Sequence, residues 1–267
     1  MTTKKYFWIT DSHFNFVAKT KLIGFFIDLQ CAVPYGIFIT GDISTGPLVA
    51  KHLQCMAKIV HCPIYFVLGN HDAYRASFEE VEKSIVRLTK SEQNLVYMTN
   101  SDPIELSSDV AVIGHDGWYD AKWRDPYTPL IFIWDFFFIK DFRSLFSNKE
   151  RMDVVRERAK RASESIAEKL KLALKDHSTV YLLTHIPPWP NVGRWLIDKF
   201  WMPYNSSKVI ADEIVNIMNQ HKDKNLIVLA GHSHLRRRAI ISDNIELRVG
   251  FAKHGQTIIE EVIRIDA

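Results

Sequence analysis

Cysteine is scarce in this 267-residue chain: three, an odd number, at Cys31, Cys55 and Cys62. They lack metal-site spacing, and an odd, sparse set argues against a disulfide framework. Free thiols in a reducing compartment are the simplest account. Long apolar runs are also missing. No stretch reaches the roughly 20 residues that a membrane-crossing helix needs. The closest approach lies within 130–139 and is interrupted by Asp135. The first ten residues leave no room for a secretory apolar segment, so a cytoplasmic location is expected. Linkers rich in Gly and Ser, low-complexity tracts and internal repeats are absent too. One domain over 1–267 is therefore expected, since this length suits one well-packed α/β domain but not two. Finally, there is no one-sided charge. Lys and Arg number 34 against 31 Asp and Glu, a net +3, too little by itself to argue for nucleic acid.

What is present is a set of five polar motifs, each behind an apolar run: Asp11-Ser12-His13, Gly41-Asp42, Gly69-Asn70-His71-Asp72, His185, and Gly231-His232-Ser233-His234. The runs, near 6–10, 36–40, 63–68, 179–184 and 225–230, are short and rich in β-branched and aromatic residues. They read as buried strands. A further strand is expected near 110–114. Helical patterns fall near 47–60, 77–91, 150–176 and 206–221, so strands and helices alternate as in layered α/β folds. Short strands near 237–241, 245–249 and 257–264 would extend a second sheet. Open α/β sheets place their chemistry beyond the carboxyl ends of strands, which sends five motifs to one edge.

Asp11, His13, Asp42, Asn70, His185, His232 and His234 offer carboxylate, amide oxygen and imidazole, without thiolate. That donor set suits Mn, Fe, Zn or Ni. Seven side chains exceed one tetrahedral ion; with one bridging carboxylate they give four contacts to each of two. Two ions about 3.5–4 Å apart clamp the attacking and leaving oxygens of a displacement at phosphorus and lower a bound water's pKa toward roughly 7. Singly, Asp11, Asn70 and Asp72 also read as helix caps or turn residues, and His185 as a loop histidine. All five motifs in order, each behind its own strand, favour the metal reading.

The pattern resembles the calcineurin-like metallophosphoesterases from Asp11 to His234, with no motif position departing, and is most like stand-alone microbial members. The resemblance implies a four-layer αββα sandwich of two mixed β-sheets flanked by helices, with a dinuclear site on loops at strand ends. It implies that Asp11, His13, Asp42 and His234 hold one divalent or trivalent ion. Asp42 would bridge, and Asn70, His185 and His232 would complete the second. His71 would contact the substrate phosphate as a charge stabiliser or acid, and Asp72 would orient His71 through a hydrogen bond. The expected activity is hydrolysis of a phosphomonoester or phosphodiester by a metal-bridging hydroxide, with a small molecule or nucleotide favoured as substrate. A nuclease acting on DNA or RNA strands is the first alternative, and a non-catalytic binding scaffold the second. The sequence leaves the oligomeric state open.

Several features fall outside the motifs. His115, Asp116, Trp118 and Tyr119 follow a strand and combine titratable with aromatic side chains; His115, Asp116 and Trp118 are candidates for lining the mouth of the site. Arg236, in the run Arg236-Arg237-Arg238, is a candidate for reaching a substrate phosphate, with a solvated strand edge as the alternative. The 150–176 helix carries an apolar stripe from Met152 to Ala173. Its other faces hold Arg151, Arg156, Arg158, Lys160, Arg161, Lys169 and Lys171, read as a solvated face or as a phosphate-backbone contact surface. The aromatic run 130–138 would form a cap, a dimer contact or a loose helix. Trp189, Trp195, Trp201 and Tyr204 would form another pocket wall.

Overall fold

The computed structural model describes residues 3–123, 133–190 and 202–266. Its first sheet contains β1 (Thr3–Ile9), β2 (Gly36–Thr40), β3 (Ile64–Val67), β4 (Leu95–Tyr97) and β11 (Glu261–Asp266), in the order β11-β1-β2-β3-β4. The second contains β5 (Ile104–Ser107), β6 (Val110–Gly114), β7 (Thr179–Leu183), β8 (Asn225–Ala230), β9 (Arg237–Ser242) and β10 (Ile245–Val249), in the order β5-β6-β7-β8-β10-β9. The inner strands run parallel. The edges β11, β5 and β9 pair antiparallel with their neighbours, so both sheets are mixed.

Strand alternation builds the layers. Tyr6 and Trp8 of β1, with Phe38 and Tyr65 of the same sheet, face the second sheet and share an inner core with its Tyr181 and Leu229. Phe7 and Ile9 face the helices α1 (Lys19–Cys31), α2 (Pro47–Ile59) and α3 (Phe78–Ser91). On the far side, Ala111, Ile113, Val180, Leu182 and Val228 face α6 (Asn148–Asp176) and α7 (Lys208–Asn219), while Val112 and Leu183 point inward. Helices, two sheets and helices make the expected four-layer αββα sandwich. Each strand feeds two cores because successive side chains take opposite faces.

Most expected elements are present, and the departures have physical causes. The last strand does not extend the second sheet: β11 pairs with β1, Thr3 opposite Asp266 and Trp8 opposite Glu261, closing the first sheet. Helix α1 and strands β4 and β5 carry weak signals. Only Leu22, Phe26 and Leu29 of α1 are buried, too few to produce a clear stripe. Two helices start with capping boxes, Ser77 with Glu80 and Ser147 with Glu150, which satisfy their first free N–H groups. The run at 130–138 is described only from Ile133. It forms the short helix α4 (Asp135–Phe138), followed by α5 (Lys140–Arg143). Its residues 130–132 lie outside the described residues, as do Trp195 and Trp201.

The stripe on α6 is buried as expected from Met152 to Ala173, but the basic residues do not form one solvated face. Arg158 lies over the Phe78 ring at 3.5 Å. Lys169 turns inward and its Nζ donates to the carbonyls of Met98, Thr99 and Gly114 at 2.7, 2.7 and 2.9 Å. Its ammonium therefore pins α6 to the loops after β4 and β6. Burial pushes the Lys169 ammonium down to about 8. Lys169→Met keeps the stem but leaves three carbonyls without their donor. Chemical denaturation should show a loss of about 2–4 kcal/mol; a loss below about 0.5 kcal/mol would show that water replaces the ammonium freely.

Candidate metal centre

The loops after β1 and β2 continue the ladder beyond the strands. Asp11, His13 and Phe14 donate backbone N–H to the carbonyls of Gly41, Asp42 and Ile43 at 3.1, 2.9 and 2.8 Å. This lays Asp11 and His13 beside Asp42. The His185 loop joins the same edge because Gly231 donates its N–H to the His185 carbonyl at 3.0 Å. The His232 N–H reaches Asp11 Oδ1 at 2.8 Å. Asp11, His13, Asp42, His232 and His234 all have left-handed φ, between 41° and 71°. Such backbone costs on the order of 1 kcal/mol per non-glycine residue and clusters where a site demands it.

The seven residues form two groups that meet at Asp42. In the first, Asp11, His13, Asp42 and His234 place one ligand atom each within 4.8 Å of the others. His234 Nε2 is 3.3 Å from Asp11 Oδ1, and His13 Nε2 is 3.7 Å from Asp42 Oδ2. In the second, Asn70 Oδ1 lies 3.0 Å from both His185 Nε2 and His232 Nδ1. Asp42 Oδ1 lies 3.3 Å from His185 Nε2. Asp42 thus turns one oxygen toward each group.

Tautomers decide what this second group can hold. His185 Nδ1–H donates to the Thr40 carbonyl at 2.9 Å, and His232 Nε2–H donates to the Tyr204 carbonyl at 3.0 Å. A carbonyl only accepts, so the opposite nitrogen of each neutral ring presents a lone pair. Burial lowers both imidazoles, His232 to about 4, which keeps them in the neutral, ligating form. Two nitrogen lone pairs, an amide oxygen and a carboxylate oxygen therefore converge. Only a cation, or a proton on Asp42, relieves them. Burial, then the charges of Asp11 and Asp72, drive the Asp42 carboxyl well above its ordinary range. The donor chemistry fits two ions, held by Asp11, His13, Asp42 and His234 on one side and by Asp42, Asn70, His185 and His232 on the other.

His71 stands at this edge with its Nε2 3.9 Å from Asp42 Oδ2 and its ring stacked on Tyr74 at 4.2 Å. It is partly open to solvent, unlike Asp42. Asp72 does something other than the expected orienting of His71. Its carboxylate accepts backbone N–H from Ile43, Ser44 and Gly69 at 3.2, 2.7 and 2.8 Å. No hydrogen bond joins it to the His71 ring among the described residues. It staples the loop after β3 to the loop after β2, and so sets where Asp42 stands.

The mouth-lining expectation for the loop after β6 does not hold. Trp118 is 3% exposed and packs on Tyr119 and edge-on to Phe78. Asp116 Oδ1 accepts from the Leu68 N–H and the Thr99 hydroxyl, both at 2.7 Å, and Oδ2 takes the Tyr97 hydroxyl. His115 is half-buried, and desolvation lowers its imidazole to about 3. Asp116 and Trp118 border a small cavity of roughly 30 Å³ shared with Asn70, Asp72, Arg158 and His185, room for one or two waters. Strand-following position was a sound signal for adjacency to the site, but the motif supports it from behind. Arg236 is held in a two-pronged ion pair with Glu260, so its guanidinium is already engaged. Arg238 pairs with Glu246, and Arg237 donates to the Pro190 carbonyl.

Two residues at the site have no motif to announce them. His254 lies on an exposed turn with its ring 4.5 Å from His13 and 5.4 Å from His234. It forms a further three-histidine group with them. Asp135 is 4% exposed and accepts from Asn70 Nδ2 at 2.8 Å. A carboxylate inside an aromatic run was its only signal.

A family model described as calcineurin-like phosphoesterase matches residues 4–236. No curated protein matches the sequence. Among solved structures, the phosphopantetheinyl hydrolase of Mycobacterium tuberculosis is similar over 98% of this chain and 95% of its own, with a TM-score of 0.66 and 12% identity. A dimetal phosphatase of Danio rerio is similar over 96% of this chain and 88% of its own, with a TM-score of 0.56 and 14% identity. At such identities the likeness concerns the fold.

Gly69 allows Asp42 its position. A Cβ there would lie 2.1 Å from Asp42 Oδ1 and 2.5 Å from its backbone nitrogen. Gly69→Ala should therefore displace the shared carboxylate and cost about 1–3 kcal/mol. Equilibrium dialysis with Mn(II) is expected to show loss of both ions with an unchanged circular dichroism spectrum. Full metal occupancy in this variant would refute the close-approach argument.

Proposed function

The chain belongs to the calcineurin-like phosphoesterase family, and from that premise we propose that it hydrolyses the phosphate ester of a small molecule or nucleotide at the two-ion centre around Asp42. That it is a metal-dependent phosphoesterase follows from the family. The observation that carries the finer reading is the convergence of lone pairs on both sides of one buried carboxylate. Two ions bound there supply positive charge against the phosphoryl oxygens and a water acidic enough to serve as nucleophile near neutral pH.

The residues contribute the rest. Asp42 fixes the separation of the two ligand groups because its own place is fixed by the His71 N–H at 2.9 Å. His13, His185 and His232 stay neutral through burial and so remain ligands. His71 has an open face, a ring held by Tyr74, and an imidazole that burial and neighbouring histidines lower well below its ordinary range. It would donate a hydrogen bond to a phosphoryl or leaving-group oxygen from a neutral ring.

Small substrates are favoured over nucleic-acid strands because the candidate basic surfaces are engaged. Arg158 and Lys169 turn inward on α6, Arg161 pairs with Glu157, and Lys171 with Glu213. Arg236 and Arg238 face Glu260 and Glu246. Strand binding would therefore show little of the steep salt dependence that free phosphate-contacting cations confer. The intact donor set argues against a non-catalytic scaffold.

His71→Ala should retain both ions and lower kcat by roughly 10²–10⁴-fold. Comparing aryl phosphate and bis-aryl phosphate series checks this and the reaction class together. If His71 acts as an acid, its loss costs least where the leaving group is best. Loss of metal from His71→Ala would make it a ligand instead. Asp42→Asn is expected to remove most activity on every substrate; wild-type rates in that variant would contradict the two-ion reading.

A further inference from the structure

Asn70 serves a cation only with its carbonyl oxygen forward, because its amide nitrogen is a donor and would repel the ion. The two ends of the amide have nearly the same shape, so packing alone does not choose between them. The choice is made by a hydrogen-bond partner that only accepts. Here that partner is Asp135, whose Oδ1 takes the Asn70 Nδ2 at 2.8 Å and leaves Asn70 Oδ1 facing His185 and His232.

Asp135 is well built for this. It stands first in α4 and is 4% exposed. Its Oδ1 also accepts the Tyr74 hydroxyl at 2.8 Å, and its Oδ2 the Tyr119 hydroxyl at 2.9 Å. All three donors are neutral, and no cationic side chain pairs with it among the described residues. A buried carboxylate without a counter-charge is costly, and Asn70 links this one directly to the lone pairs of His185 and His232. Tyr74 also stacks on the His71 ring, so the same carboxylate holds a residue against the substrate-side histidine.

We propose that Asp135 is a positioning residue for the second ion: it locks the Asn70 amide oxygen-forward and supplies buried negative charge that offsets that ion. This rests on the two-ion reading above. Partners behind a metal ligand typically change affinity by about 10–100-fold. Among the described residues Asp135 makes no hydrogen bond or ion pair with Asp11, His13 or His234, the ligands that serve the first ion alone, so that ion is expected to be spared.

The test is titration of the chelator-stripped full chain with Mn(II), counting free ion by electron paramagnetic resonance. The wild-type chain should take up two ions. Asp135→Leu should bind the first as before and the second about 10–100-fold more weakly. Asp135→Asn keeps an acceptor for Asn70 but drops the charge, and should weaken the second ion by a smaller factor, about 3–10-fold. A merely structural role would lower stability and weaken both ions alike. Unchanged second-ion affinity in Asp135→Leu, or equal losses at both ions, would overturn the inference. If Asp135→Leu does not fold, Asp135→Asn decides: an unaltered second ion overturns the inference. Fewer than two ions in the wild-type chain would fell the two-ion reading and this inference with it, whereas two ions bound with wild-type affinities in every variant would fell this inference alone.

Discussion

Four acceptor atoms, Asp42 Oδ1, Asn70 Oδ1, His185 Nε2 and His232 Nδ1, crowd together because backbone carbonyls and a carboxylate have claimed every proton that would separate them. Water cannot relieve the crowding cheaply, since the four side chains are largely buried. The remaining architecture is arranged around this repulsion. Left-handed backbone at five positions, a glycine pressed against Asp42, and Asp72 drawing in three N–H groups all hold the lone pairs where they would otherwise separate. The four-layer packing makes such strain affordable, since the loops are anchored in strands buried on both faces.

Much of this was legible in the sequence. Apolar runs ending in Asp, Asn and His announced both the strands and the edge that carries chemistry, because a buried strand must be apolar and a ligand must be polar. The seven candidate donors come together. What periodicity could not supply was the partner of each strand. Nothing local in the 257–264 segment says that β11 returns to β1 and not to the second sheet; that depends on which edge the chain can reach.

The misread residues share a cause. Sequence shows where a polar residue sits along the chain and not which way its side chain turns. Asp116 and Trp118 follow a strand as the ligands do, yet face the interior. Lys169 reads as one more charge on a mixed helix, yet its stem lets the ammonium reach three inward carbonyls. Asp72 stands next to His71 and serves the neighbouring loop. In each case the deciding fact is a long-range hydrogen bond, which short motifs do not encode. Asp135 is the instructive exception. A charge inside an aromatic run is expensive to bury, and that expense was visible before its partner Asn70 was.

The central claim is that the crowding exists to be neutralised by two cations on either side of Asp42. Anomalous diffraction at the manganese edge, from crystals of the full chain grown with Mn(II), addresses it directly. The account predicts two peaks about 3.5–4 Å apart, one among Asp11, His13 and His234 and one among Asn70, His185 and His232, with Asp42 reaching both. A single peak, or density remote from Asp42, would contradict it.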